Sequence, residues 1–428
     1  MADTKISALV AATKITLGDV YAGVQGGSTK KFMALGFIPD QTDFIGTMFI
    51  GNGGGAIDNT GTEAGDLNTY VGIDSGLAST IAKKNTSLGN NALASATSGW
   101  ANTAIGYNSL STGIGTGSLV ISGTGVEFYA NTGVGQNTLF KTTTGSYNTA
   151  AGANALTENT TGSDNTGVGV HALNDNTTGS NNVAIGRSAL RASSTVSDNI
   201  AIGTNCLLVL TAGKNVAIGT DSMKASTTAT GCMAMGWSSL GTNTEGNYNV
   251  AIGESALFDN VDGDDNTAVG YLALSNGTAS DNTALGSKAG KNLVGGHSSV
   301  FIGFQAGLNT VSGNFNSCVG FEAGKNTTGS AGTYLGYSAG SNVTTGNFNI
   351  CIGYNTAVPV ATTASQLNIG DTITGSMAGE KWVGIDGSIV LAPKAEPAAP
   401  QEGMIYYDTT ANKLLVYTGA AWETITSS

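Results

Sequence analysis

The stretch NNVAIGRSAL at residues 181–190 returns along the chain as NVAIGTDSM, NVAIGESAL and NTAVGYLAL. Aligned on its central glycine, the phrase occurs 18 times between Gly72 and Gly370, and its 17 intervals are 17 residues long in 13 cases, 16 in three and 29 in one. So constant a period leaves few folds open, because a unit this short cannot enclose a core alone and must bury its apolar side against copies of itself. Within the unit the residue types alternate with the period of a strand. The prediction is therefore an all-β chain: a parallel β-roll or β-solenoid of about 18 coils with 16–17-residue repeats. Glycine numbers 64 of 428 residues but proline only 5, which excludes a collagen-like chain. Apolar residues make up 40% and recur at fixed positions, which excludes disorder.

Counting back from the glycine, the residue one before is apolar in every copy, as in Ile105, Val134, Ile185 and Ile252. Three before stands Thr or a larger apolar residue, as in Thr103, Val183 and Ile200; two before is usually Ala, as in Ala104, Ala184, Ala217 and Ala251. This alternation predicts a bulky face that fills the coil and an outward Ala column. Ala is a poor strand former, so its repetition on one face implies a close contact with another chain along that column. Four before the glycine, Asn occupies 14 of the 18 copies, among them Asn102, Asn182, Asn215 and Asn249. Stacked in register, these amides would form a ladder between coils. The glycines, including Gly106, Gly186, Gly219, Gly253 and Gly303, mark a bend that either lacks room for Cβ or needs φ > 0. After the bend come a small residue (Ala189, Ala256, Ala289) and then mostly Leu, replaced by Gly from Gly290 to Gly340. That pattern predicts a second short strand whose core side chain is lost in the later coils. Spacers such as TTGSYN and TTGNFN read as turns that close each coil. A single roll of this kind buries little apolar surface per ordered residue, so side-by-side association is expected. At about 4.8 Å per coil the rod would be on the order of 85 Å long.

The remaining composition narrows the partners. A net charge of −12 without a Lys/Arg cluster argues against nucleic acid, and no stretch approaches a membrane-spanning apolar run. MADTKISALVAATKITLGDV lacks the basic start and unbroken apolar core of a secretory signal, so synthesis in a cytosol is expected. Cys206, Cys232, Cys318 and Cys351 have no paired or metal-like spacing and read as small buried residues in a reduced protein. No catalytic residue, metal or cofactor is predicted. Asp164, Asp198, Asp262, Asp264, Asp265 and Asp281 all fall in coil-closing turns, His171 and His297 stand apart, and GIGTG near residue 113 lacks the context of a nucleotide site. Val, Ile and Ser interrupt the Thr column beside Asn, which disfavours an ice-binding face.

The pattern Asn-[Thr/Val]-Ala-[Ile/Val]-Gly-x-x-[Ala/Ser]-Leu resembles the repeat of the trimeric autotransporter adhesin head, and the similarity covers about 70% of the chain. That resemblance implies a left-handed roll and a parallel homotrimer. The adhesins carry a signal peptide and a membrane anchor, neither of which is read here. Instead DTKISALVAATKITLGDVYAGVQGGSTKK is similar to N-terminal segments that seat tail proteins on a phage particle, and GMIYYDTTANKLLVYTGAAWETI resembles a small β module found at the ends of fibre chains.

The organisation expected is an N-terminal particle-attachment segment over 1–45, a transition over 46–66 and the roll over 67–375 with an insertion near 111–126. A roll cap and Pro/Ala-rich linker over 376–402, with Trp382 covering the last coil, and a C-terminal β module over 403–428 follow. Lys5, Lys14, Lys30 and Lys31 would suit docking to an acidic tail or baseplate protein. Tyr406, Tyr407, Tyr417 and Trp422 are candidate contacts to a host surface glycan, although so small a module also needs aromatic core. The functional expectation is a non-enzymatic tail fibre of a phage or phage-tail-like particle that binds a host-surface glycan or protein. A polysaccharide-depolymerising spike, a structural connector and a cellular trimeric adhesin are the alternatives.

Overall fold

The computed structural model describes residues 22–23, 30–31, 48–50, 68–77, 84–95, 99–111, 130–371, 373–376, 382–385, 405–408 and 413–425. Among these there is no helix. Eighteen short strands, from Thr69–Val71 to Gln366–Ile369, each end against one of the 18 repeat glycines. Every strand pairs in parallel with that of the next coil and without slip, as Val183↔Ile200, Ala184↔Ala201 and Ile185↔Ile202 illustrate. The register holds even across the 29-residue interval, where Thr103 pairs with Thr132. The β-solenoid read from the period is thus the observed fold. The insertion itself, within 112–129, lies outside the described residues.

Two features extend the ladder beyond the repeats. Met48–Ile50, in the segment read as a transition, is a further parallel strand on Thr69–Val71, and its MFIG repeats the strand–glycine phrase. After the last coil the chain reverses: Gln366–Ile369 pairs antiparallel with Ile373–Ser376, which pairs antiparallel with Trp382–Ile385. An antiparallel hairpin in place of a further coil covers the edge at which parallel stacking would otherwise continue. The Trp382 side chain, the Pro/Ala-rich linker and most of residues 1–45 lie outside the described residues. Within the N-terminal segment, Ala22–Gly23 and Lys30–Lys31 form a two-stranded antiparallel pair.

The repeat glycines are there for a close approach. Gly219 has φ = 138°, and a Cβ on it would lie 2.3 Å from the carbonyl oxygen of Gly236, the same position one coil on. Only glycine allows coils to stack at strand spacing through this bend. The Asn ladder is also present. Asn165 Oδ1 accepts from the Asn182 backbone N–H at 3.0 Å and from Asn182 Nδ2 at 3.1 Å, while Asn165 Nδ2 donates to the Gly179 carbonyl at 2.8 Å. These amides are fully buried, so the ladder satisfies backbone groups inside the coil that no strand can reach.

The facing of the strand is the reverse of the expectation. Ala104, Ala184, Ala217 and Ala251 are completely buried within a single chain, whereas Ile185 is 40% exposed and Ile105 36%. The Ala column therefore lines the coil interior and cannot be a contact between chains. The reason is space: a coil of 16–17 residues has so narrow a section that Ala184, Ala189 and one larger chain, Leu190, fill it. The predicted second strand is likewise replaced. Residues two and four after the glycine adopt left-handed backbone, as in Asn205 (φ 54°) and Leu207 (φ 48°), so this side of the coil is a run of turns. It still bonds to the next coil, with Asn205 N–H to the Arg187 carbonyl at 2.9 Å and Leu190 N–H to the Cys206 carbonyl at 3.0 Å.

The core side chain that the later coils appear in sequence to lose is relocated. Where Gly290 and Gly307 replace Leu, Phe301 occupies the strand position that elsewhere holds Ala and is fully buried over both glycines. Tyr334 does the same over Gly324 and Gly340, and Tyr70 over Gly76 in the first coil. Two positions thus share one volume, and a ring at one requires glycine at the other.

Candidate interaction surfaces

With Ala inside, the strands turn their large residues outward. One before the glycine the column holds Val, Ile, Leu or Met in every coil but that of Ala151, and none of these residues is buried. Three before, Val183, Ile200, Met233, Val250 and Ile350 alternate with stretches of Thr. The column one after the glycine lies beyond the bend and is polar in places, yet it becomes aromatic at Phe304, Phe321, Tyr337 and Tyr354. These four rings form a continuous stack, with centroids 5.3, 4.9 and 5.0 Å apart and planes within 18° of parallel. Mid-rod, Met233, Met235 and Trp237 make all three outward positions of one coil apolar and exposed. The column one before the glycine thus forms an apolar strip on the order of 85 Å long, and it widens into a broader exposed apolar patch wherever the flanking columns are apolar as well. The columns one and three before the glycine are the bulky face expected inside the coil and lie outside it instead, whereas the aromatic column one after the glycine was not singled out from the sequence, although reading that register position down the coils displays it.

The aromatic residues expected at the C-terminal tip divide. Ile405–Asp408, Lys413–Tyr417 and Trp422–Thr424 form a three-stranded antiparallel sheet, the strands expected from IYYD, KLLVY and AAWETI. Tyr417 pairs in register with Trp422, their centroids 5.3 Å apart and their planes tilted by 59°. Both are half-buried, so they already pack on one another. The Tyr406 and Tyr407 side chains lie outside the described residues.

The polar groups considered for chemistry serve the turns. Asp264 Oδ1 accepts from the Asn247 backbone N–H at 2.7 Å, continuing a ladder in which Asp264 N–H donates to Ser280 Oγ at 2.9 Å. His171 Nδ1 lies 3.3 Å from Asn174 Oδ1, and His297 Nδ1 lies 3.1 Å from Ser298 Oγ. Among the described residues, no group of three or more His, Cys, Asp or Glu side chains is arranged to hold a metal.

All four cysteines are free and buried. Burial pushes the Cys206 thiol up to about 12, Cys232 to about 11 and Cys351 to about 12, and raises Cys318 as well. The folded chain keeps these thiols protonated above the pH at which an unfolded chain ionises them, near 9. Their contribution to stability is complete below that value and is lost as pH rises toward the folded values. At pH 10 the loss is about 1–2 kcal/mol per thiol. Thermal unfolding should accordingly fall between pH 9 and 11 (about the range of thiol ionisation). A Cys206→Ala/Cys318→Ala/Cys351→Ala chain, which places Ala where most coils have it, should show a shallower decline.

Comparison with family models, with curated proteins and with solved structures finds no match to this sequence.

Proposed function

We propose that the chain is a subunit of a rod-like fibre, in which three parallel copies pack their outward strand faces together and the assembly binds a host surface. The observation that carries this reading is the exposed apolar strip along the whole roll. The outward strand face that carries this strip, on the order of 800 Å² per chain, is of the size that each partner contributes to a stable protein interface. The β-solenoid itself is compatible with a fibre or adhesive structural protein, since its length grows with coil number while its section stays constant. The number three follows from the resemblance of the repeat to adhesin heads. Attachment of the N-terminal end to a tail or baseplate protein, on a phage or phage-tail-like particle made in a host cytoplasm, follows from the resemblance of the two end motifs to tail-fibre segments.

In this account the roll is a spacer and an adhesive rod with no bond-breaking step. Fluorescently labelled full-length protein is expected to bind cells of the host strain and to leave their purified surface polysaccharide at its original length. Shortening of that polysaccharide would establish a depolymerising spike instead. Failure to bind any host cell, with assembly intact, would establish a connector that carries a separate receptor-binding protein.

A further inference from the structure

The outward column one before the glycine does not distinguish one height on the rod from the next. Ile302, Val319, Leu335 and Ile352 are interchangeable apolar residues, and the same holds along most of the roll. A second copy laid on this column and shifted by one coil, about 4.8 Å, loses little beyond the contact at one end. What fixes the relative height of two copies must come from a column that varies. The column one after the glycine does: from Thr204 to Asp371 it reads Thr, Thr, Trp, Glu, Tyr, Ser, Phe, Phe, Tyr, Tyr, Asp. Its ladder of four stacked rings, Phe304, Phe321, Tyr337 and Tyr354, is bounded by Ser287 one coil before and Asp371 one coil after. The rings stack on one another and still leave 42%, 39%, 45% and 76% of their surface exposed.

Three observations name a second copy of this chain as the partner. First, the centroids follow the coils at 5.3, 4.9 and 5.0 Å. A surface that meets all four rings alike must itself repeat at the height of one coil, as another roll does. Second, the ladder belongs to the strand face. On the far side of the rings the next residues, Gln305, Glu322, Ser338 and Asn355, are polar, whereas on the near side only the repeat glycine separates them from Ile302, Val319, Leu335 and Ile352, none of them buried. Third, the charged residues of this column, Arg187, Glu254 and Asp371, all lie outside the ladder. Like charges brought side by side repel, so two copies can close on each other along Phe304 to Tyr354 without that cost.

We propose that the ladder is the register lock of the assembly: neighbouring copies meet there ring column beside ring column, parallel and at the same height. In register, four rings lie beside four, the arrangement in which identical stacked side chains exclude water along a shared seam. A shift of one coil sets Tyr354 beside Asp371 and Phe304 beside Ser287. An antiparallel pairing that kept the four rings together would leave every coil up to that of Gly270 without a partner. This inference rests on the fibre reading and assigns the residues that set the alignment of its copies.

The test uses the full chain. Light scattering on serial dilution gives the concentration at which the assembly comes apart. The Phe304→Thr/Phe321→Thr/Tyr337→Thr/Tyr354→Thr chain, which takes the residue this column has at Thr204 and Thr220, should dissociate at a concentration at least about tenfold higher. The Ile73→Thr/Tyr107→Thr/Val170→Thr chain, changed in the same column where apolar residues stand singly, should differ from the natural chain by less than about threefold. Register is read with the ladder intact, on a Ser287→Cys chain and an Asp371→Cys chain, since the four natural thiols are buried. A short bismaleimide should link Ser287→Cys copies to one another and, in mixed assemblies, should not link a Ser287→Cys copy to an Asp371→Cys copy. A link between the two kinds, no link between Ser287→Cys copies, or a ladder variant that dissociates with the natural chain overturns the proposal. If the natural chain is assembled in those cases, the fibre stands and only this contact falls; a natural chain that is monomeric throughout removes both. A ladder variant that is monomeric while Ile185→Asp/Ile252→Asp stays assembled keeps the contact and removes the apolar strip as the seam of the fibre.

Discussion

Replacing Gly219 by Ala should destabilise the middle of the roll by about 4 kcal/mol or more. The added Cβ meets the Gly236 carbonyl oxygen at 2.3 Å and carbon at 2.7 Å, and both belong to backbone that cannot rotate away. The φ of 138° is itself a conformation that residues with side chains rarely adopt. Relief requires the two coils to separate, which breaks bonds such as Gly236 N–H to the Ile218 carbonyl at 2.8 Å. Since each coil contacts only its neighbours, the damage should be local. Hydrogen exchange should show lost protection across the adjoining coils, together with a lower unfolding temperature. Gly295→Ala is the control, because a Cβ there has nothing within 4 Å and the backbone is not left-handed; its effect should stay within about 1 kcal/mol in either direction.

A second large effect is expected where the core side chain changes position. Phe301→Ala removes a fully buried ring and should cost about 3–5 kcal/mol. Gly307→Leu alone should also destabilise, because the new Cβ would sit 2.1 Å from Phe301 Cδ1. Its backbone is not the obstacle: Gly307 has φ 60°, and Leu274 and Leu190 occupy the equivalent position at 46° and 48°. Combined, Phe301→Ala and Gly307→Leu recreate the Ala-plus-Leu core in that one coil and should recover part of the loss, the space that Phe301 fills over Gly290 staying unfilled. In chemical or thermal unfolding the double substitution should therefore be more stable than either single one, with a coupling of about 3 kcal/mol. Additive losses would show that the two positions do not share a volume.

The period, the bend at glycine and the Asn ladder were legible in the sequence because each depends on a residue type that few others can replace. Which strand face turns inward was not, because strict alternation is symmetric between its faces. Placing the bulky residues inside follows the usual hydrophobic rule but ignores how narrow the coil is. Two signals for the true facing were nevertheless present. The Asn four before the glycine and the Ala two before it share a face, so a buried amide ladder places Ala inside as well. The pairs Tyr70/Gly76, Phe301/Gly307 and Tyr334/Gly340 show that the Ala position and the Leu position fill one space. The run of left-handed residues after the bend was hidden because Leu207 and Met223 in that conformation follow from tertiary burial and not from local preference. The outward aromatic columns were overlooked because attention to the recurring phrase passes over the positions that vary.

The face reversal makes the side-by-side fibre testable at particular residues. Light scattering of the purified chain should give the mass of three 42.7 kDa subunits. Ile185→Asp/Ile252→Asp puts charge on the outward column while leaving Ala184 and Ala251 in the core, and should reduce the mass to that of one folded chain. A natural chain that is a stable, folded monomer, or a substituted chain that stays assembled, would contradict the account.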